Sequence, residues 1–295
     1  MKNAVEKANI LIEALPYIRK FNGKTVVIKY GGHAMINADL KQAVINDVIL
    51  MKLIGINPVV IHGGGPEITD MLQRLDIPSR FVGGCRVTDT ATMEIVEMVL
   101  VGKINKEIVS LINRHGGRAV GLSGQDANLI QAVRRQGKSV DSTGHESMQD
   151  IGFVGDVKKI NPEIIQTVIN EGYIPVVAPV GVGDEGESYN INADYVAGEV
   201  ATALSADKLI LLTDVEGIFE DYNNKETLIS ELKLNQIDEM ITRGVISGGM
   251  IPKVECCAHA VNGGVTTTHI LDGRTPHSIL LEIFTDRGIG TMVVR

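Results

Sequence analysis

Apolar residues along this chain follow two alternating periods. Val5, Ala8, Leu11, Ile12 and Leu15 stand three and four positions apart, which predicts an amphipathic helix over residues 3–20. Pro16 falls inside it, where a missing N–H and a ring clash predict a kink or an interruption. Lying ahead of the first strand, this helix has two docking surfaces open to it, its own domain or another subunit. From Thr25 onward, short apolar runs alternate with stretches of helical period. Strands are predicted at 25–29, 58–61, 118–121, 174–179, 208–213, 267–271 and 292–294. Helices are predicted at 39–54, 67–75, 91–100, 105–114, 162–170, 193–204, 236–242 and 252–261. Apolar strands alternating with helices predict a largely parallel sheet covered by helices. Residues 129–160 break the rhythm: short β-like runs at 130–133 and 153–158 flank a loop rich in Gly, Ser and Asp, consistent with hairpins over a site.

Composition narrows the class. Hydrophobic residues make up 44% and charged residues 22% of 295, which is globular rather than disordered. The net charge of −8 argues against nonspecific binding to nucleic acid or an anionic membrane, so an anionic substrate needs local positive charge. Three cysteines, with Cys256 and Cys257 adjacent, form neither a disulfide framework nor a metal-ligand spacing, and fit a reducing compartment. No run approaches the ~20 apolar residues that span a bilayer. Residues 1–20 carry Glu6 and Glu13 without a long apolar core, so no signal peptide is read there. The expected location is the cytoplasm, or a plastid stroma if the gene is organellar.

Glycine changes the picture most. There are 32, above the usual share of roughly 7%, and the excess comes in pairs and triplets at predicted strand ends. Lys29-Tyr30-Gly31-Gly32 places a cation beside backbone amides that a phosphate can approach. Alone the signal is weak, and Lys29 reads first as a solvated residue closing a strand. His62-Gly63-Gly64-Gly65-Pro66 runs from a strand into a helix and exposes amides near a helix N-terminus. One glycine suffices for such a turn, so three favour close approach of a ligand. Neither loop has the spacing of a P-loop or of a dinucleotide fingerprint. On its own segment, Arg86 in Gly83-Gly84-Cys85-Arg86 reads as a surface arginine, though the side chain is suited to gripping a carboxylate. Asn190-Ile191-Asn192-Ala193-Asp194 opens a helix; Asn192 or Asp194 caps it, or the asparagines read a small polar ligand. Gly248-Gly249-Met250-Ile251-Pro252-Lys253 sets a lysine in the first turn of a helix, against the dipole unless it serves an anion. Thr213-Asp214-Val215-Glu216-Gly217 leaves a buried strand where a nucleotide base and ribose can lie.

These clusters, in this order from about Lys24 to the C-terminus, resemble the amino acid kinase family, and within it the branch acting on N-acetyl-L-glutamate. Each motif is modest alone; the ordered set is highly specific. The resemblance implies an open αβα sandwich with a mainly parallel central sheet and an extra N-terminal helix. It implies an oligomerisation helix at 1–22, an N-lobe at 23–180 binding the acyl amino acid, and a C-lobe at 181–295 binding ATP. The implied reaction moves the γ-phosphoryl group of ATP to the γ-carboxylate of N-acetyl-L-glutamate, giving N-acetyl-L-glutamyl 5-phosphate and ADP, in arginine biosynthesis. By the same resemblance, Lys29 and Lys253 stabilise the transferring group and Asp194 organises them. Gly31, Gly32, Gly64 and Gly65 offer amides to phosphate and reacting oxygens. Arg86 and Asn190 grip the substrate, and Thr213, Asp214 and Gly217 contact nucleotide. Mg²⁺ is expected to arrive on the ATP phosphates, without a dedicated protein site. The carboxylate acceptor is ionised near neutral pH, so no general base is assigned.

The two ends of the chain resemble the arginine-inhibited branch of the family. There the N-terminal helices interlace three homodimers into a homohexamer, and arginine binds between that helix and the C-lobe. The matching residues are Tyr17 in that helix, Glu282, Gly288 and Gly290 in a tail that spans 281–291, and His269 as a further residue lining the same pocket. By chemistry alone Glu282 reads as a solvated charge and His269 as a satisfied strand histidine; the resemblance reverses both readings. Some members also bind a nitrogen-signal protein. Retention of Lys29, Lys253 and Asp194 argues against a catalytically dead arginine sensor.

Overall fold

The structure is a computed structural model that describes residues 2–140, 146–285 and 288–295. Eight strands form one sheet in the order Glu231–Lys233, Thr291–Val294, Thr267–Asp272, Lys208–Thr213, Thr25–Tyr30, Asn57–His62, Ile174–Ala178, Ala119–Ser123. All neighbours run parallel except Thr267–Asp272 with Thr291–Val294. The sheet is buried on both faces, which is why its strands read as continuous apolar runs. Along Thr25–Tyr30 the pleat sends Val26 and Ile28 into one core with Val44, Val48 and Val96. Val27 points the other way, into a second core with Val196, Ala197 and Val200.

The chain steps from Thr25–Tyr30 to Asn57–His62 on one side and returns later to Lys208–Thr213 on the other. The carboxyl end of Thr25–Tyr30 is therefore a topological switch point, where open parallel sheets bind ligands. Three predicted motifs leave the sheet there: Gly31-Gly32, the glycines at 63–65, and the loop from Asp214.

Several elements depart from expectation. The first helix runs unbroken over Lys2–Phe21 with Pro16 inside it, so the predicted interruption is absent. Its apolar stripe faces out: Ile10, Leu11 and Ile12 are 60–70% exposed. The β-like runs at 130–133 and 153–158 are parts of a far longer hairpin, Ile130–Val140 with Glu146–Ile160. Its polar sequence hid the length, because cross-strand backbone bonds rather than apolar residues define much of it. The loop at 141–145 lies outside the described residues. The hairpin closes into a small barrel with Val180–Val182 and Ser188–Asn190. A two-residue hairpin, Phe81–Val82 with Cys85–Arg86, was not predicted because its strands are too short to show a period. The two helices predicted at 91–100 and 105–114 are joined through a π-helical segment, Met98–Ile104.

Candidate active site

At the end of strand Thr25–Tyr30, the Lys29 ammonium lies 3.0 Å from Oδ1 of Asp194. Lys253 takes the other oxygen, with Nζ 2.7 Å from Oδ2. Asp194 stands in the first turn of helix Ala193–Ala203 and Lys253 in the first turn of helix Ile251–Asn262. Asn192 is the cap of the former helix: its Oδ1 accepts from the Asp194 N–H at 2.8 Å, leaving the Asp194 carboxylate to the lysines. Burial pushes the Asp194 pKa up, but Lys29 and Lys253 outweigh it and hold the carboxylate below its usual range. Two ammonium groups thus share one buried carboxylate, and a surplus positive charge remains where two helix N-termini converge. That is a site for a polyanion.

Close approach explains the glycines. A side chain at Gly31 would meet Lys29 Nζ at 2.7 Å. Gly32 has φ 67°, and a Cβ there would strike the Asp214 carboxylate. Asp214 accepts from the His33 N–H at 2.7 Å, so its carboxylate anchors this loop at the edge of the cleft. The Thr213 hydroxyl accepts from the Val215 N–H at 3.2 Å and lies 3.0 Å from the Val215 carbonyl, tightening the same turn.

A cavity of about 720 Å³ is lined by Lys29, Gly32, Thr213, Asp214, Gly217 and Lys253, with Phe219 and Tyr222 also bordering it. A second, of about 250 Å³, shares Lys29 and Gly32 with the first and adds Gly31, the glycines at 63–65 and Asp194. A third, of about 210 Å³, shares those three glycines with the second and reaches Arg86 and Asn190. Lys29, Asp194 and Lys253 therefore sit in the middle of one cleft. Its broad arm has aromatic side chains; its narrow arm has Arg86.

Arg86 is buried, contrary to its reading as a surface residue. Its guanidinium donates to the Ser79 hydroxyl, to the Gly65 carbonyl at 3.0 Å and to the Thr69 hydroxyl at 2.7 Å, and stacks 4.7 Å from the Phe81 ring centre. Asn190 reaches the Thr88 hydroxyl at 3.4 Å from the opposite wall. Among the described residues, no three His, Cys, Asp or Glu side chains converge as a cation-binding group. The donors in the cleft are ammonium groups and amides, which suit the phosphates that carry Mg²⁺ rather than the bare ion.

The sequence profile of the Amino acid kinase family matches residues 24–272. Acetylglutamate kinase of Desulforamulus reducens is 68% identical over 294 residues, covering 100% of this chain and 99% of that protein. Acetylglutamate kinase of Pelotomaculum thermopropionicum is 67% identical, covering 99% of each. The chain belongs to the amino acid kinase family. Among solved structures, carbamate kinase from Giardia lamblia bound to AMP-PNP has the same fold, with a TM-score of 0.65 at 18% identity over 92% of this chain and 98% of that one. N-acetylglutamate synthase from Neisseria gonorrhoeae, complexed with coenzyme A and N-acetyl-glutamate, superposes with a TM-score of 0.82 at 24% identity. This chain is covered to 98% and spans 63% of the synthase.

A second polar cluster lies where the first helix meets the C-terminal half of the kinase. A cavity of about 220 Å³ is lined by Tyr17, Lys20, Phe21, Lys208, Glu282, Gly288 and Gly290, among others. The rings of Tyr17 and Phe284 meet edge to face, 6.3 Å apart. His269 lies beneath, its Nδ1 2.9 Å from Glu282 and its Nε2 2.7 Å from Lys208 Nζ. Lysine donates to Nε2, so Nδ1 carries the ring proton toward Glu282. Burial lowers the His269 pKa, and that of Lys208 to about 8. The five residues assigned by resemblance are thus brought together, while Asp286 and Arg287 of the same tail lie outside the described residues. Lys208 was missed: as the first residue of an apolar strand it gave no signal, and only the fold turns it into this cavity. Phe219 and Tyr222, which border the broad cavity, were missed too, though two aromatics just beyond the loop from Asp214 were a usable sign in a chain with 4% aromatics.

Proposed function

We propose that this kinase transfers the γ-phosphoryl group of ATP to the γ-carboxylate of N-acetyl-L-glutamate, forming N-acetyl-L-glutamyl 5-phosphate and ADP in arginine biosynthesis. The carrying observation is the Lys29–Asp194–Lys253 cluster at the junction of a broad aromatic arm and a narrow arm ending in Arg86. Its relatives of 57–68% identity along nearly the whole chain are acetylglutamate kinases. Three free cysteines and bacterial relatives fit a reducing cytoplasm. Residues 23–180 supply most of the acyl amino acid site and 181–295 most of the ATP site, with Lys29 and Gly32 reaching into the broad arm and Asn190 into the narrow one.

Phosphoryl transfer needs in-line positioning and stabilisation of charge on the transferring group. Lys29 and Lys253, held apart by one carboxylate, flank the place where that charge develops, and the loop amides complete the cradle. Mg²⁺ bound to ATP neutralises phosphate charge. The acceptor carboxylate is already ionised, so no proton has to be removed. Arg86 is poised to exchange its neutral partners for the substrate α-carboxylate, a charge-assisted contact. Asn190 lies across from it to hold the neighbouring polar groups.

The second cavity supports L-arginine as an inhibitor. It sets Glu282 against two lysines, Lys20 and Lys208, which fits a zwitterion with a cationic side chain. Glu282 takes the guanidinium and Lys208 faces the α-carboxylate. The exposed apolar stripe of Lys2–Phe21 supports packing of this helix on another subunit, in dimers that assemble to a hexamer. ADP release with MgATP and N-acetyl-L-glutamate, beside L-glutamate and L-aspartate, with and without L-arginine, tests the reading. Turnover confined to the acetylated substrate and suppressed by arginine is expected; turnover on glutamate instead would sink the substrate assignment. Full activity at saturating arginine would remove the inhibitor alone.

A further inference from the structure

His62 ends strand Asn57–His62 with its side chain wholly buried, at 0% exposure, one residue before the glycine loop. Its Nδ1 lies 2.8 Å from the Gly63 carbonyl oxygen, which can only accept. Nδ1 therefore carries the ring proton, and Nε2 is left as an acceptor. The Asn105 amide nitrogen lies 3.3 Å from that Nε2. The surroundings of this amide fix its orientation. The nitrogen faces the Val176 carbonyl at 2.9 Å and the Leu122 carbonyl at 3.3 Å, while the oxygen faces Lys106 Nζ at 3.2 Å. Asn105 is also 0% exposed and stands directly after the π-helical segment Met98–Ile104. A π-turn inserts a residue and shifts the helical phase of the residues beyond it. Gly121 makes the space: a Cβ there would collide with the Asn105 oxygen. Two residues of the π segment, Leu100 and Ile104, fill the place a side chain at Gly64 would need.

The peptide between Gly63 and Gly64 is trans, as no cis bond occurs among the described residues, so its C=O and N–H point in opposite directions. Drawing the Gly63 carbonyl back onto His62 turns the Gly64 N–H outward. Among the described residues, neither the Gly64 nor the Gly65 N–H donates to the protein, and both glycines border the middle and narrow arms of the cleft.

We propose that His62 and Asn105 are positioning residues for the reaction: a neutral Nδ1–H imidazole, oriented from behind by the Asn105 amide, clamps the Gly63 carbonyl and so aims the Gly64 N–H at the reacting oxygens. Burial keeps the imidazole neutral, lowering its pKa to about 4. A preset amide lowers the barrier because it does not reorganise as charge develops. This inference rests on the functional reading above.

The test compares two variants of similar polarity and size. In His62→Asn the amide nitrogen falls near the place of Nδ1 and retains the clamp. In His62→Gln it falls near Nε2 and loses it. With N-acetyl-L-glutamate and MgATP, kcat of His62→Gln is expected to drop by about tenfold or more, with KM for ATP little changed. His62→Asn is expected to lose less than about threefold. A residue needed only for packing would give two equal defects, so equal kcat in the two variants, high or low, overturns the clamp. Gly121→Ala replaces neither residue but displaces the Asn105 amide, and a fall in kcat is expected there as well; wild-type kcat in that variant overturns the part given to Asn105. If the unaltered kinase fails to turn over N-acetyl-L-glutamate, the functional reading falls instead.

Discussion

Two clusters in this molecule use the same ingredients, a carboxylate and nitrogen cations, and arrange them differently. In the cleft, Asp194 is shared by Lys29 and Lys253, and the balance is positive. In the second cavity, a neutral His269 imidazole stands between the Glu282 carboxylate and the Lys208 ammonium, with Lys20 also on the cavity wall. The difference lies in what surrounds each carboxylate. Asp194 sits where two helix N-termini and glycine amides add further positive potential, which suits the several negative charges of a nucleotide polyphosphate. Glu282 is met by an imidazole and by the Ile289 N–H at 3.2 Å, with Lys208 one group further away. Such an array separates one negative from one positive pole, which suits a zwitterion. Counting charged residues alone does not distinguish them; only the order in which they touch does.

Removing charge from the first cluster has the largest expected effect. Lys253→Ala or Lys29→Ala is expected to cut kcat by about 10²–10³-fold, the usual loss when a group facing developing charge is removed. The fold should survive, since Asp194 keeps the other lysine, and retention of most activity would refute the assigned role. Next in size, Arg86→Ala is expected to raise KM for N-acetyl-L-glutamate by about 10–100-fold, as one charge-assisted contact is lost in ground and transition states alike. A fall in kcat at constant KM would contradict this.

The second cluster responds differently. Glu282→Gln keeps the shape but removes the charge, and is expected to raise the arginine concentration for half-inhibition by about tenfold. Titrating arginine against the variant's own uninhibited rate checks it. Lys208 sharpens the contrast through pH. Its pKa is lowered by burial to about 8, so the ammonium is lost as pH rises through that value. Arginine potency is then expected to weaken between about pH 7 and 9, one unit either side of that pKa, and a flat or opposite trend would separate Lys208 from the effector carboxylate.

A further effect concerns stability rather than turnover. His62 takes up a proton only near pH 4, whereas a free histidine does so near 6.5. The unfolded chain therefore binds more protons within that window, and stability falls as pH drops through it, by on the order of 3 kcal/mol in all. Urea midpoints measured across the window should fall less steeply with acid in His62→Asn than in the unaltered protein; parallel curves would show that His62 does not carry this dependence.

Seven of the sheet's eight strands were legible in the residues themselves; the three-residue edge strand Glu231–Lys233 was too short to show a period. Apolar runs at 25–29, 58–61 and 208–213 are buried on both faces, and a strand of that kind announces itself whatever its neighbours. The sequence also marked the glycine loops and Lys253, because each breaks a local rule that only a ligand or a partner explains. It misplaced Pro16, whose helix runs on unbroken, and shortened the hairpin Ile130–Val140, whose pairing is set by backbone bonds. Which polar side chains are buried, and what they face, follows from packing between distant segments. Arg86 has the local surroundings of a surface residue, yet it closes the narrow arm of the cleft. His62 and Lys208 look like strand ends, and Asn105 like a helix start. Their roles depend on contacts 43 and 61 positions apart along the chain, His62 with Asn105 and Lys208 with His269. A periodicity is written in neighbouring residues, whereas a buried hydrogen bond is written in whichever segments the packing brings together.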